Sequence, residues 1–353
     1  MPEILAKTSI GSYEVTIANL SLSRIGKRAK SLVRGTKAFI VTDTNVEKLY
    51  LSKVKESLET SGFQVDSYAI VPGEESKNAA MLFTLYEKFH DFGITRSDLI
   101  VALGGGVVGD LAGFSAATYL RGVPLIQVPT TLLAQVDSSV GGKTAIDLPF
   151  GKNLVGSFYH PLAVIMDPSV LATLPRSIMN EGMAEVIKYG CIRDVHLFEQ
   201  IESNKMDLEW VLDRCIHIKT AVVSKDERDT GERMLLNFGH TIGHAIEKVT
   251  AYKTYSHGQA VSIGMVVACK MGEKLGVTKP GTADKVKACL EKFGLPTQCD
   301  LPEDEILTAI KSDKKTLSDT VYFVLLKEIG EGILYPMDAK ILNQVLREVL
   351  KNA

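Results

Sequence analysis

DLIVALGGGVVGDLAGF, residues 98–114, is the stretch that decides how the first half of this chain folds. DLIVAL is a short apolar run without polar alternation, which reads as a strand buried on both faces, as in a parallel sheet. GGGVVG (104–109) follows directly, satisfies G-x-G-x-x-G, and opens a helical pattern. Such a turn lets backbone amides approach a pyrophosphate while the next helix offers its N-terminus. The same pattern also serves as a plain tight turn. The acid that usually binds the ribose about twenty residues downstream is not obvious here.

Working outward, KAFIVTD (37–43) is another short apolar run, ending at an acidic turn, and NVEKLYLSKVKESLETSG follows with helical spacing and a glycine stop. FQVDSYAIVPG and KNAAMLFTLYEKFHDFG repeat the strand-then-helix order, and VPLIQVPTT and PLAVIMDP (161–168) add further buried strands. This alternation predicts an α/β N-terminal domain with a mostly parallel, doubly wound sheet over residues 1–170. After LATLPRS, amphipathic stretches dominate at 177–190, 208–225, 235–249, 257–275, 282–293 and 338–351. They predict a mostly α-helical C-terminal domain over 171–353, with a hairpin at VYFVLLKEIGEGILY (321–335).

Composition narrows the class. The chain has 353 residues, 45% hydrophobic and 23% charged, with a formal net charge of −2, which favours a soluble globular protein and gives no support for nucleic acid as a partner. No apolar run reaches the length of a membrane span, and the N-terminus carries charges where a signal peptide needs an apolar centre. The 5 cysteines lack any C-x-x-C spacing and fit buried thiols in a reducing cytoplasm. The expected setting is cytoplasmic.

Several polar residues fall at strand ends, which converge on one edge of such a sheet. Asp43 ends one strand, and PGEESK (72–77) places Glu74 and Lys77 after the next. Around a glycine-rich turn they favour a dinucleotide site. GGKT (141–144) is not a Walker A loop, because the glycine required five positions before Gly142 is Asp137. Lys143, Lys152 and Asn153 remain as donors among glycines, in either a phosphate pocket or a mobile polar loop.

LNFGHTIGHAIE (236–247) sets His240 and His244 four apart, on one helical face, and YSHGQAVSIGM adds His257, in a chain with only 7 histidines. Glu185, in EGMAEVIKYG, sits on a largely apolar helix and completes a set of the kind that holds catalytic zinc. Spacing does not say which two histidines would bind. Glu185 and Lys188 also have the spacing of an ordinary ion pair. In KDERDTGERMLLN (225–237), Arg228 or Arg233 could grip a carboxylate or simply be solvated.

LGGGVVGDLAGF, RGVPLIQVPTTLLAQVDSSVGGKTAI, GKNLVG, GMAEVIKYG, DERDTGERMLLNFGHTIGHAIE and HGQAVSIGM together resemble the 3-dehydroquinate synthases of the sugar-phosphate cyclase superfamily, in order and over nearly the whole chain. The resemblance implies an NAD-dependent, zinc- or cobalt-dependent homodimer of the shikimate pathway. It would turn 3-deoxy-D-arabino-heptulosonate 7-phosphate into 3-dehydroquinate and phosphate by transient oxidation, phosphate elimination, reduction and aldol closure. It puts metal ligands at Glu185, His240 and His257 and makes His244 a proton-transfer residue. It puts NAD contacts at Asp43, Asn45, Glu74, Lys77, Gly105, Gly106, Val107, Asp110, Thr130, Thr131, Lys143 and Lys152. Substrate contacts then fall on Asp137, Lys143, Lys152, Asn153, Lys188, Lys219, Arg233 and Asn237, with Lys314 or Lys315, and Arg121 reaches the neighbouring subunit's site.

Two positions depart from the family pattern. Asp229 stands where the family usually has Glu in DERE, which shortens the reach of that carboxylate by one methylene. Gln259 stands where the family has HGE, so it cannot place a charge beside His257, and its tuning of that ligand is expected to weaken. Competing readings are a cyclase of the 2-deoxy-scyllo-inosose or epi-valiolone type, whose substrates lack the carboxylate, a metal-dependent polyol dehydrogenase, and an inactive NAD-binding regulator.

Overall fold

In this computed structural model the described residues are 3–9, 11–203, 205–229, 231–313 and 320–350, and the first half folds around a mostly parallel sheet. Its strands are β1 (Glu3–Thr8), β2 (Gly11–Ile17), β3 (Lys37–Asp43), β4 (Gln64–Ile70), β5 (Leu99–Gly104) and β6 (Leu125–Pro129). A separate hairpin, β7 (Lys143–Leu148) and β8 (Gly151–Phe158), precedes the last sheet strand, β9 (Ala163–Met166). The order across the sheet is β1-β2-β9-β6-β5-β3-β4, parallel throughout except for β1, which runs antiparallel along β2.

Every residue of β5, β6 and β9 is buried, which explains why these strands read as unbroken apolar runs. Phe39, Leu85, Phe89, Ile100, Leu111 and Leu125 form the core on one face, with the Phe39 and Phe89 rings edge to face at 5.1 Å. β3 leads outward to β4, whereas β5 leads the other way to β6. The strand order therefore reverses between β3 and β5, and a crevice opens at their carboxyl ends.

The chain divides into two compact units: Met1–Pro175 with Leu208–Ser224, and Arg176–Asp207 with Lys225–Ala353. The second unit is mainly helical. The His257–Lys274 helix is buried along most of its length, and the helices Arg176–Arg193, His240–Val249 and Thr282–Lys292 lie against it. Buried free thiols Cys191, Cys269 and Cys289 sit on three of these helices; burial pushes the Cys289 thiol up to about 12. β10 (Thr320–Glu328) and β11 (Glu331–Asp338) form an antiparallel hairpin in this unit. Among the described residues no helix is long and apolar enough to cross a membrane.

Four elements go beyond or against the sequence expectation. β7 and β8 form an ordered hairpin, so of the two readings of this stretch the mobile loop is excluded. The N-terminal β1–β2 ribbon and the helices Val195–Glu202 and Glu303–Asp313 were not anticipated.

Candidate active site

The first unit gathers polar groups at the carboxyl edge of its sheet. Asp43 ends β3, and its carboxylate caps the next turn, accepting from the amides of Asn45 (2.9 Å) and Val46 (3.1 Å). Beside it, β5 ends at Gly104, Gly105 caps the Gly106–Thr118 helix, and Val107 and Asp110 follow in its first turns. A Cβ on Gly105 would lie 3.0 Å from the Thr131 methyl carbon, so a larger residue here would push the Thr131 side chain aside. Thr130, just after β6, donates its amide to the Gly104 carbonyl at 2.9 Å, and its hydroxyl is buried. This edge is a helix N-terminus set in a switch-point crevice, the arrangement that receives a dinucleotide pyrophosphate.

Lys77 is the hub of a charged network there. Its buried ammonium lies 2.8 Å from Glu74, 3.2 Å from Asp110 and 3.8 Å from Asp147, and it donates to the Asn153 amide oxygen at 2.7 Å. Burial pushes the Asp110 carboxyl up to about 6, against the pull of Lys77. Burial also opposes ionisation of Glu74, but Lys77 and Lys152 outweigh it and hold its pKa below the usual value. Burial likewise disfavours the charged form of Lys77, yet its carboxylates keep it firmly protonated. Asp147 was absent from the sequence reading. It accepts the Asn153 amide at 2.7 Å and donates its own amide to the Lys77 carbonyl, locking the β7–β8 turn to this network.

Lys219 and Asp137 meet elsewhere in the same unit. The Leu208–Lys225 helix buries Lys219, whose ammonium donates to the Asp137 carboxylate at 2.5 Å and to the Asp137 carbonyl. Lys143 is exposed at the start of β7. Arg121 is not brought to the sheet edge that collects the others. It lies exposed just beyond the far end of the Gly106–Thr118 helix, roughly 20 Å along the axis from Gly106.

In the second unit Glu185, His240 and His257 converge, with ligand atoms all within 4.8 Å of one another. Glu185 Oε1 stands 3.5 Å from His240 Nε2 and 3.7 Å from His257 Nε2. Glycine permits the approach. Gly239, at φ +81°, starts the His240 helix, and a Cβ there would sit 2.8 Å from the Val261 carbonyl oxygen on the His257 helix. His240 Nδ1 faces the Phe238 carbonyl at 3.1 Å, so that nitrogen carries the hydrogen and Nε2 keeps its lone pair toward Glu185.

Burial drives the His240 pKa down to about 3, overcoming the attraction of Glu185 and leaving the imidazole neutral. Burial also disfavours charge on His257, but hydrogen bonds to Glu185 and Glu247 prevail and raise it to about 10. A proton and a divalent ion compete for the same lone pair. One carboxylate with two imidazoles is a donor set suited to zinc or cobalt.

Lys188 is buried and pairs with Glu185, with its ammonium 5.1 Å above the Tyr189 ring centre. His244 lies one turn beyond His240 and is exposed, its ring centre 5.4 Å from that of His240. Arg233 is buried and donates to the Glu227 carbonyl at 2.5 Å, two residues after Gly231 and four before Asn237, which ends the same short helix. Asp226, another residue the sequence reading missed, accepts the amides of Gly231 (2.7 Å) and Arg233 (3.0 Å) and shapes this loop. Asp229 adopts a left-handed backbone at φ 61° and is partly exposed. Gln259 does not turn toward His257. Its side-chain oxygen accepts the Ser256 amide at 3.0 Å, capping the helix that His257 begins. Lys314 and Lys315 lie outside the described residues.

Comparison with known proteins places this geometry in context. A family model described as 3-dehydroquinate synthase N-terminal matches residues 67–181, and one described as 3-dehydroquinate synthase C-terminal matches residues 182–316. The 3-dehydroquinate synthase of Clostridium perfringens (strain SM101 / Type A) is 50% identical over 331 residues, covering 92% of this chain and 95% of that protein. That of Clostridium kluyveri is 48% identical over 345 residues, covering 96% and 94%. Among solved structures, 2-deoxy-scyllo-inosose synthase complexed with carbaglucose-6-phosphate, NAD+ and Co2+ superposes with a TM-score of 0.85 at 26% identity, covering 98% of this chain and 100% of that one. The fold is also that of 2-epi-5-epi-valiolone synthase from Streptomyces hygroscopicus with NAD+ and Zn2+ bound, at a TM-score of 0.87, 23% identity and full coverage of both chains (100% each). The chain belongs to the 3-dehydroquinate synthase family.

Proposed function

We propose that this protein is a 3-dehydroquinate synthase of aromatic amino acid biosynthesis, a carbon–oxygen lyase that converts 3-deoxy-D-arabino-heptulosonate 7-phosphate into 3-dehydroquinate and phosphate. The observation that carries the reading is the convergence of Glu185, His240 and His257 in a chain half identical to named synthases. Glu185, His240 and His257 would hold zinc or cobalt, and the edge formed by Asp43, Asn45, Glu74, Lys77, Gly105, Gly106, Val107, Asp110, Thr130 and Thr131 would hold NAD. When bound, NAD supplies a transient hydride acceptor and the divalent ion supplies Lewis acidity toward a substrate hydroxyl.

The chain's own residues then have distinct work. A substrate with both phosphate and carboxylate must stay oriented through several intermediates, and fixed cations do this by electrostatics. Lys143, Lys152, Asn153, Lys188, Lys219, Arg233 and Asn237 would be the donors for that purpose. Asp137 holds the Lys219 ammonium in place. His244, exposed beside His240, is the side chain suited to moving protons, with Asp229 in support. Elimination breaks the bond from carbon to the phosphate oxygen, and the departing phosphate can accept the proton from the adjacent carbon. The enzyme would act in the cytoplasm as a homodimer, with Arg121 serving a second copy's site.

The test supplies the heptulosonate phosphate with trace NAD and zinc, and follows both phosphate and bulk NADH. Phosphate release without net NADH is expected. A steady rise in NADH identifies a dehydrogenase, failure to turn over this substrate while glucose 6-phosphate or sedoheptulose 7-phosphate releases phosphate identifies another cyclase, and turnover that survives exhaustive chelation overturns the metal assignment.

A further inference from the structure

We propose that Glu247 is the positioning residue of the metal centre: its carboxylate accepts the Nδ1–H of His257 and so aims the opposite nitrogen at Glu185 and His240. This rests on the assignment of Glu185, His240 and His257 as ligands. The His257 ring lies between two carboxylates, with Nδ1 3.5 Å from Glu247 Oε2 and Nε2 3.7 Å from Glu185 Oε1. An imidazole cannot donate from Nδ1 and also offer that nitrogen to a cation, so the contact with Glu247 reserves Nε2 for the metal.

The helix His240–Val249 builds both halves of the arrangement. Glu247 follows His240 by seven residues, two turns along the same face, so one helix face carries a ligand and the anchor of the next ligand. Glu247 is only 4% exposed, which fits a carboxylate aimed inward rather than a solvated surface acid. The two imidazoles are thereby held differently: His240 by the neutral carbonyl of Phe238, His257 by an anion. An anionic acceptor raises ligand basicity more than a carbonyl does.

The same contact reassigns the role of Gln259. An acid two residues after His257 is not what tunes that ring here, because the residue at that position caps the helix through the Ser256 amide. Glu247 instead supplies the charge.

The alternative is that Glu247 is itself a ligand, since ligand atoms of His244, Glu247 and His257 also lie within 4.8 Å of one another. Zinc dissociation constants of the metal-free full-length protein, measured by competition with a chromophoric chelator, separate these possibilities when joined to cobalt absorption spectra. Glu247→Gln is expected to weaken zinc binding about 10- to 100-fold, with the cobalt bands at saturation unmoved. Gln259→Glu, which keeps the cap, is expected to leave zinc affinity within about twofold. Glu185→Gln is the control for the underlying assignment and should abolish tight binding.

If Glu185→Gln binds zinc normally, the ligand assignment itself fails. If Glu185→Gln loses zinc while Glu247→Gln does not, Glu247 has no positioning role. Cobalt bands that move in Glu247→Gln at saturation would make it a ligand and overturn the inference. Should Glu247→Gln not fold, histidine-selective nitrogen-15 NMR of the zinc-loaded wild type decides: Nε2 coordinated and Nδ1 protonated at His257 supports the inference, and Nδ1 coordinated refutes it.

Discussion

Replacing Lys77 by Met tests the polar hub of the first unit. Met keeps most of the aliphatic stem and deletes the ammonium, leaving Asp110, Glu74 and Asp147 without their shared counter-charge. At 3.2 Å the Lys77–Asp110 attraction amounts to about 5 kcal/mol at an effective dielectric constant of 20. Desolvation of the lysine offsets part of this, and 21% of the Asp110 side chain remains open to water. The net loss expected near neutral pH is therefore about 3 kcal/mol, the lower end for breaking a buried pair.

The loss should depend on pH in a defined direction. Asp110 titrates near 6 in the folded protein against an ordinary 3.8, so the folded state binds the extra proton, and this group's contribution to stability falls as pH rises from 4 to 6. Without Lys77 that carboxyl rises further and the decline extends to higher pH. Near pH 5 Asp110 is protonated in the folded variant, and only Glu74 and the more distant Asp147 miss their lysine, at about 1 kcal/mol. Urea unfolding followed by circular dichroism at both pH values measures the difference, and Asp110→Asn in the Lys77→Met background should recover part of it near neutrality. A loss below about 1 kcal/mol at both pH values, or one larger in acid, would refute the electrostatic account.

Gly239→Ala forces a Cβ to within 2.8 Å of the Val261 carbonyl at a backbone angle that L-residues avoid, so the second unit should lose about 2 kcal/mol or more, with a lower melting temperature and reduced zinc per chain. Lys219→Met removes the partner of Asp137 from a buried position, and about 2 kcal/mol of stability should go with it; Asp137→Asn added to that variant should restore part in a double-mutant cycle by urea titration.

What sequence makes legible is what is local. The β5 run and its glycine turn are adjacent along the chain and buried on both sides, so apolar continuity reveals them. β7 and β8 are held by pairing across the hairpin and by Asp147 and Asn153 at their turn, and neither signal is periodic. The Val195–Glu202 helix is short, but a clue was present: Asp194 accepts the Leu197 amide at 3.1 Å as an N-cap. Spacing gathers His240, His244 and His257 without ranking them, because His240 and His244 share a face. The ring orientations depend on the Phe238 carbonyl and Glu247, and only the fold brings these into place. Glu247 did leave a trace, since it recurs seven residues after His240 on that face.

The thiols of the helical unit carry a practical consequence. Cys191, Cys269 and Cys289 are reduced, enclosed and strongly disfavoured as thiolates. An alkylating reagent reaches them only when those helices part, so their rate of modification is a built-in clock for transient opening of the unit, read by mass with no added label.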